Sequence, residues 1–514
     1  MRFTRSSGIL VHPTSLPGPF GSGDFGIAAY HFVDWLALAG QKLWQMLPLG
    51  PVGMGNSPYM GLSAFAGYPL LIDLVELHKK GWLTEADIND LPAFPAQRID
   101  YAAVTPFRME RLRRASEAFF AKPAPEDTSA YDEFCAEQQS WLDDYALFMA
   151  LVEKNQGKEW CNWNPDLVHR KPAAMKKAHE ELQGEIDFWK FTQWCFFRQW
   201  KALKKYANSK GVKIVGDIPI FIAYQSADVW AHPELFYLNE TDFRPTVVAG
   251  VPPDYFSATG QRWGNPLYRW DVMHKQNYAW WIERIKKTLE IVDIARIDHF
   301  RGFAQYWEIP GKEKTAVKGK WIDGPKEQLF LAIQNQLGDL PIIAEDLGML
   351  TPDVYELRDA FEFPGMRILQ FAFASDAKNI FLPHNYTPNT VVYTGTHDND
   401  TTVGWFATTT DHERVFAQKY FSADGHEIHW NMMRAAAQSV ADVAVYPLQD
   451  ILGLGTEHRM NFPGKALGNW AWRFEWEQVQ PWHGARLLDM TAVSGRCDKS
   501  KLDVPGYPTG KVTP

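Results

Sequence analysis

The sequence predicts an α/β protein built as a (β/α)8 TIM barrel with large, mainly helical insertions between strands. Eight short apolar runs are each bounded by turn residues, and helical patterns lie between several of them. Acidic residues lie at the C-terminal ends of four of these runs, where barrel enzymes place their active sites. These observations together favour a barrel enzyme.

The predicted strands are rich in β-branched residues and apolar on both faces, as in a parallel sheet covered on each side. They are Gly8–His12, Lys42–Leu49, Val212–Ile220, Val292–His299, Pro341–Leu347, Met366–Phe373, Val391–His397 and Val443–Leu448. The helices predicted between them include Ala28–Ala39, Tyr278–Glu290, Pro325–Leu337 and Asp411–Tyr420. This alternation of strands and helices is what a barrel requires.

The chain is expected to form a single catalytic barrel over residues 1–514, because insertions lengthen a barrel without adding a domain. The interval 50–210 is too long for one loop and contains helical patterns, such as Tyr131–Leu151 and Ile186–Ala207. We interpret it as a mainly helical insertion between strands two and three. Residues 225–275, rich in Pro, Gly and aromatic residues, are interpreted as a loop-rich insertion that carries an active-site lid.

Charge and composition narrow the class of partner. The formal net charge is −9 and no long basic run is present, so nucleic acid is not expected to bind. No apolar stretch approaches the roughly 20 residues of a membrane span, and the apolar run Gly8–Val11 is too short for a signal peptide. The four cysteines form no CxxC pair. A cytoplasmic protein without a nucleic acid or membrane partner is expected.

Four acidic residues lie at the C-terminal ends of predicted strands: Asp217, Asp298, Glu345 and Asp398. A single such residue is as well explained as the N-cap of the next helix, but four at one rim favour a catalytic site. Arg296 lies two residues before Asp298, so a strand places both side chains on one face. The guanidinium is expected to keep that carboxylate ionised. A purely structural ion pair is the alternative.

Glu345 is followed by Asp346, whose negative charge is expected to raise the pKa of Glu345 and keep it protonated near neutral pH. One ionised and one protonated carboxyl group are what retaining glycoside chemistry needs. Asp298 would attack the anomeric carbon, and Glu345 would deliver a proton to the leaving oxygen.

Two motifs suggest other functions. The dinucleotide fingerprint GxGxxG is matched by Gly21–Gly26, but three prolines separate it from the preceding strand, and the next strand ends without an acidic residue for a ribose. It is therefore interpreted as a rim loop. Two carboxylates and an amide in His397–Asp400 suit a hard cation, but neither EF-hand spacing nor a second acidic cluster accompanies them. No metal is predicted.

Three segments resemble the catalytic strand ends of the α-amylase clan: Ala295–Arg301, Ala344–Gly348 and Thr396–Asn399. Others narrow the resemblance to its amylomaltase branch, glycoside hydrolase family 77. These are Leu16–Gly21, Asn56–Tyr59, Ser63–Gly67, Gly216–Ile220, Gly250–Phe256, Gly260–Pro266, Arg459–Gly464 and Gly468–Arg473. These segments are distributed along the sequence, so the resemblance extends over nearly the whole chain. Asp217 lacks the Asn-His pair that follows this position in ordinary α-amylases, which argues against a calcium-dependent amylase.

The resemblance implies transfer of an α-1,4-glucan segment from a donor to the 4-hydroxyl of an acceptor glucan or glucose, by retaining double displacement and without a cofactor. It implies that Asp298 is the nucleophile, Glu345 the acid/base and Asp398 a third carboxylate that binds sugar hydroxyls. The implied substrate-binding residues are Ser57, Tyr59, Asp217, Tyr255, Phe256, Gln261, Trp263, Arg296, His397 and Asn469. The implied partners are malto-oligosaccharides, amylose or other α-1,4-glucans. A hydrolase of the same clan and a non-catalytic glucan-binding protein are the alternatives.

Several of these residues also have structural explanations. Tyr59 is equally well explained as a buried loop tyrosine bonded to backbone. Ser57, Gln261 and Asn469 are of a kind that often serves as loop scaffolding. The segment Pro252–Trp263, which resembles the family's aromatic loop over the cleft, is alternatively a hydrophobic plug packed under the insertion.

Overall fold

Eight parallel strands form a barrel in the computed structural model, which describes residues 2–53, 55–254, 257–348 and 350–497. The strands in these ranges are β1 (Ser6–Leu10), β2 (Leu43–Gln45), β3 (Lys213–Pro219), β4 (Val247–Val251), β5 (Gln261–Pro266), β6 (Ile294–Asp298), β7 (Gln305–Pro310), β8 (Lys320–Asp323), β9 (Ile342–Ala344), β10 (Gly365–Ile368), β11 (Thr390–Tyr393) and β12 (Val443–Pro447).

Helices lie around this barrel and also make up much of the insertions between its strands. They are α1 (Ile27–Leu38), α2 (Leu74–Lys79), α3 (Glu85–Asn89), α4 (Tyr101–Ala121), α5 (Pro125–Glu137), α6 (Gln139–Lys154), α7 (Pro165–Val168), α8 (Pro172–Glu181), α9 (Gln183–Ser209), α10 (Ala227–Ala231), α11 (Trp270–Lys275), α12 (Ala279–Ile291), α13 (Lys326–Leu337), α14 (Pro352–Ala360), α15 (Thr402–Thr408), α16 (Asp411–Phe421), α17 (Ile428–Gln438), α18 (Leu448–Ile451) and α19 (Pro481–Val493).

The barrel strands pair in the order β10-β11-β12-β1-β2-β3-β6-β9, all parallel. The amide of Ala344 at the end of β9 donates to the carbonyl of Pro364, just before β10, at 3.0 Å, which links the two ends of the sheet. Every residue of β1, β2 and β12 is buried, because these strands are covered on both faces. The predicted fold class is confirmed, and each of the eight predicted runs overlaps a barrel strand, although β1, β10 and β11 begin one or two residues before the predicted runs.

The chain between β2 and β3 is mainly helical and contains α2 to α9. The last of these helices, α9, packs against α1, α4 and α6, and the indole of Trp200 donates to the carbonyl of Ile291 at 2.8 Å. The predicted helix 131–151 is instead two helices, α5 and α6, which meet at Gln138. The backbone of Gln138 (φ −102°, ψ 7°) leaves the helical region there.

A second, antiparallel sheet of order β5-β4-β7-β8 was not predicted. Its strands β4 and β5 lie within residues 225–275, and β7 and β8 follow the barrel strand β6. The sequence of β5, Gln-Arg-Trp-Gly-Asn-Pro, shows none of the regular polar–apolar alternation by which a half-buried strand is recognised. β7 begins seven residues after Asp298, so the loop that follows β6 leads directly into this second sheet.

Glycines in the 13–23 segment allow it to fold back on itself. The amide of Gly23 donates to the carbonyl of Thr14 at 2.9 Å, and a β-carbon on Gly23 would lie 2.1 Å from the carbonyl oxygen of Pro13. The segment that matches the dinucleotide fingerprint is thus part of a tight loop after β1. In the part of the chain that the structure describes, no helix is both long enough and apolar enough to cross a membrane.

Candidate active site

The four acidic residues predicted from strand ends lie at the carboxyl ends of barrel strands. Asp298 is the last residue of β6, Glu345 follows β9 directly, Asp217 lies near the end of β3, and Asp398 lies in the loop after β11. The register of β3 against β6 places Asp217 opposite Arg296. Parallel strands end at the same rim of a barrel, so this topology gathers the four carboxylates.

Arg296 joins two of these carboxylates. Its Nη1 atom donates to both carboxylate oxygens of Asp217, at 2.8 and 2.7 Å, and its Nη2 atom donates to Oδ1 of Asp298 at 3.0 Å. The side chains of Arg296 and Asp217 are 4% and 0% exposed, so this ion pair is shielded from water, whereas 30% of the Asp298 side chain is accessible. Burial disfavours the charged guanidinium, but Asp217 and Asp298 outweigh it and raise the pKa of Arg296 well above its usual value.

The charge on Asp298 is set by two opposing effects. Burial raises the pKa of the Asp298 carboxyl to about 6, and the guanidinium of Arg296 opposes that rise. Arg296 therefore acts in the predicted direction, but burial outweighs it. A carboxyl group with this pKa is mostly ionised at pH 7, as a nucleophile requires.

Glu345 is held by two backbone amides. Its Oε2 atom accepts the N–H of His299 at 2.7 Å, and its Oε1 atom accepts the N–H of Leu347 at 2.8 Å. His299 has φ +54°, and this left-handed conformation immediately after the nucleophile is part of the turn that directs its amide at Glu345. Burial, and after it the charge of Asp298, raises the pKa of Glu345 to about 8.

The predicted cause of the raised Glu345 pKa was wrong, although its direction was right. Asp346 does not share the environment of Glu345: its Oδ2 atom accepts from Arg358 at 2.5 Å and its Oδ1 atom accepts the amide of Met366 at 2.6 Å. The side chain of Asp346 is fully buried. Its charge is thus neutralised by its own partners, and the charge that raises the pKa of Glu345 is that of Asp298.

Tyr59 and His397 pack together beside Asp217. The hydroxyl of Tyr59 donates to Oδ2 of Asp217 at 2.7 Å. The ring of Tyr59 lies nearly parallel to that of His397, with centroids 5.1 Å apart and an interplanar angle of 16°. Trp470 lies at 5.8 Å from Tyr59 and 6.0 Å from His397. The hydroxyl of Tyr59 therefore bonds a carboxylate and not backbone, and the structural alternative for this residue was wrong in that respect.

Asp398 is the most exposed of the four carboxylates, with 49% of its side chain accessible. Its Oδ1 atom accepts from Nδ2 of Asn461 at 2.6 Å and lies 3.4 Å from Nε2 of His397. Its backbone carbonyl accepts from Nη2 of Arg459 at 2.9 Å. Arg459–Gly464 is recognisable in the sequence only as a family motif, and these contacts were not predicted, since no local pattern links residues more than 60 positions apart.

The weaker predicted ligands make local hydrogen bonds. Oγ of Ser57 accepts the amide of Tyr59 at 3.3 Å, and Oε1 of Gln261 accepts the indole N–H of Trp263 at 3.1 Å. The amide side chain of Asn469 bonds the backbone of its own loop, at residues 462 and 465. These bonds agree with the scaffolding alternative for all three, and binding of sugar by these residues stays a prediction.

Trp263 lies close to the paired acids. Its ring meets that of His299 edge to face, with centroids 4.8 Å apart, and His299 is the residue after Asp298. Tyr255 and Phe256, predicted on the lid, lie outside the described residues, so the lid stays a prediction.

The His397–Asp400 segment is held by hydrogen bonds to Thr396 and Thr456. Oδ1 of Asn399 accepts both the amide and the hydroxyl of Thr396 at 2.9 Å, and Oδ2 of Asp400 accepts the hydroxyl of Thr456 at 2.9 Å. Within the four described ranges, no group of three or more His, Cys, Asp or Glu side chains could hold a metal ion. The polar side chains of this segment therefore serve to fix the loop through hydrogen bonds.

Comparison with known proteins identifies the family. The model of glycoside hydrolase family 77, described as 4-alpha-glucanotransferase, matches residues 11–478. The 4-alpha-glucanotransferase of Thermus thermophilus is 50% identical and covers 96% of this chain and 100% of its own length, and that of Synechocystis sp. is 48% identical over 96% and 98%. The structure of the amylomaltase from Streptococcus agalactiae in complex with acarbose is 39% identical, with a TM-score of 0.93 over 96% of this chain and 100% of that one. The chain therefore belongs to the 4-alpha-glucanotransferases of glycoside hydrolase family 77.

Proposed function

We propose that this chain transfers α-1,4-glucan segments by retaining double displacement, with Asp298 as nucleophile and Glu345 as general acid/base. Membership of the family supports transfer over the hydrolase and the non-catalytic alternatives. The observation that carries the assignment of roles is the difference between the two acids. The pKa of Glu345 is raised to about 8 and that of Asp298 only to about 6, so one is protonated and the other ionised near pH 7.

In the first step the carboxylate of Asp298 attacks the anomeric carbon of the donor. The bond to the leaving oxygen breaks as Glu345 donates its proton to that oxygen, which releases the reducing-end part of the glucan. The donor segment is then esterified to Asp298. The amides of His299 and Leu347 hold both oxygens of Glu345, so its proton is presented from a fixed position.

In the second step the 4-hydroxyl of an acceptor attacks the same carbon. Glu345, now ionised, takes the hydroxyl proton, and the bond to Asp298 breaks. Two inversions leave the configuration unchanged. Water entering in place of the acceptor would give hydrolysis. The ring of Trp263, which packs against the ring of His299 next to Asp298, contacts the acceptor in this proposal.

The remaining polar residues form the subsite at which the cleaved ring sits in this proposal. Asp398, which is half exposed, binds the sugar hydroxyls, and Tyr59, His397 and Arg296 line this subsite. Arg296 also orients Asp298 through the hydrogen bond that its Nη2 atom donates to Oδ1 of that carboxylate. The partners proposed are malto-oligosaccharides, amylose and other α-1,4-glucans, in line with the acarbose complex of the Streptococcus agalactiae relative.

A cytoplasmic location is part of this proposal. Cys135, Cys161 and Cys195 are free thiols, as expected of a reducing compartment. Fractionation of the source cells tests this, and recovery of the protein outside the cytoplasmic fraction would contradict it.

Maltotriose as the sole substrate tests the transfer reaction. We expect glucose together with maltopentaose and longer chains, because the donor segment passes to another maltotriose and not to water. Chromatography of the products over time measures this, with an incubation that contains added glucose as the comparison. Products limited to glucose and maltose would identify a hydrolase, and the absence of any product would identify a binding protein.

The rate of transfer is expected to follow a bell-shaped pH profile. Asp298 must lose its proton to attack, so kcat/KM rises as pH increases through about 6. Glu345 must keep its proton to release the leaving group, so kcat/KM falls as pH increases through about 8. The maximum lies near neutral pH, and the two limbs belong to the coupled pair.

Initial rates of glucose release from maltotriose at low substrate concentration measure this profile. Circular dichroism at each pH is the control for unfolding. A rate that stays constant across the range in which Glu345 is expected to lose its proton would contradict the assigned acid.

A further inference from the structure

Asn461 contacts the third carboxylate of the site from a distant segment of the chain. Its Nδ2 atom donates to Oδ1 of Asp398 at 2.6 Å, a short hydrogen bond to a charged acceptor. The only ring nitrogen near that carboxylate in the described contacts, Nε2 of His397, also lies by Oδ1, at 3.4 Å. Both contacts therefore restrain one oxygen of a side chain that is half exposed.

The position of Asn461 is itself determined by the backbone around Asp398. The amide of Asn461 donates to the carbonyl of His397 at 3.2 Å. Arg459 donates from Nη2 to the carbonyl of Asp398 and from Nε to the carbonyl of Asn461, at 2.9 and 3.2 Å. The segment 459–461 is thus bound to residues 397–398 by two further hydrogen bonds and is itself held by a third, so the side-chain bond from Asn461 is in place before any ligand arrives.

We propose that Asn461 is a positioning residue for glucan transfer: it holds Oδ1 of Asp398 and so directs Oδ2 at the hydroxyls of the sugar ring being cleaved. This inference rests on the proposed role of Asp398. A half-exposed aspartate without this restraint samples several rotamers, and only some of them direct its free oxygen at the ring. Hydrogen bonds to sugar hydroxyls strengthen in the transition state of glycoside cleavage, so correct placement acts mainly on kcat.

Asn461→Ala is expected to lower kcat for transfer from maltotriose by about 10- to 100-fold, because a group misplaced by about 1 Å can cost on the order of 100-fold in rate. KM should change by less than about threefold, because the lost interaction belongs to the transition state. Lys465→Ala is the matched control: its side chain lies over the Phe462 ring in the same loop. This control should keep the parent kcat. Thermal unfolding of each variant shows whether the fold is retained.

A double-mutant cycle separates positioning from a structural role. If Asn461 acts through Asp398, the variant that carries both Asn461→Ala and Asp398→Asn should be no slower than Asp398→Asn alone. Losses that multiply in the double variant would overturn the proposal. An Asp398→Asn variant with parent activity would instead overturn the proposed role of Asp398, so the two failures are distinguishable.

Asn461→Asp supplies a readout that stability alone does not change. The new carboxyl group would lie beside Oδ1 of Asp398, sharing a proton with it at low pH and repelling it once both are ionised. Activity relative to the parent enzyme should therefore fall as pH rises from about 5.5 to about 8. A ratio that is constant with pH would overturn the proposal, even if Asn461→Ala is too unstable to assay.

Discussion

Glu345→Gln is expected to lower transfer between glucans by about 10²- to 10⁴-fold, the usual contribution of a general acid/base. The amide keeps the size of the carboxyl group but has no acidic proton for the leaving oxygen. A donor such as α-maltosyl fluoride needs no such proton, so Asp298 should still be glycosylated by it. The variant should therefore lose activity on maltotriose and still form the glycosyl-enzyme from the fluoride.

Mass spectrometry of the intact protein after mixing with the fluoride measures the covalent intermediate, and product chromatography measures transfer. Glu327→Gln, an exposed residue in the first turn of α13, is the matched control and should behave as the parent enzyme. If Glu345→Gln loses both activities to the same extent, then Glu345 positions the substrate and another group supplies the proton.

The barrel was predictable because its strands are buried on both faces and therefore appear as continuous apolar runs. Val443–Leu448 was predicted, and β12 covers Val443–Pro447 with all residues buried. The second sheet gave no such signal: β8, Lys-Trp-Ile-Asp, is a short strand at the edge of that sheet, and three of its four residues are exposed. Short, solvated strands are specified by their neighbours in the fold, and these neighbours are remote in sequence.

The candidate site was predictable where its geometry follows from strand periodicity. Arg296 and Asp298 lie two residues apart on β6 and do share a face. The error at Asp346 has another cause, since Glu345 and Asp346 lie in the loop after β9 and the side chain of Asp346 bonds Arg358 and Met366. The bond from Asn461 to Asp398 depends on how two loops meet, and no spacing in the sequence encodes it.

Asp298→Asn is expected to abolish the glycosyl-enzyme with either donor and to lower transfer by a factor on the order of 10⁶, as for the loss of an enzyme nucleophile. Asn retains an oxygen for the 3.0 Å bond from Arg296 but has no charge with which to attack. Because the charge of Asp298 raises the pKa of Glu345, removing it should also lower that pKa. Any residual activity should then decline at a lower pH than in the parent enzyme.

Labelling with α-maltosyl fluoride distinguishes this variant from Glu345→Gln, because only Asp298→Asn should fail to accept the sugar from a donor that needs no proton. Asp217 is not an alternative nucleophile, since both its oxygens are bonded to Arg296 and its side chain is fully buried. Asp398 is half exposed and is the carboxylate to test next. If Asp298→Asn is labelled at the parent rate and the label maps to Asp398, then the nucleophile is Asp398, and Asp298 serves only as the partner of Arg296.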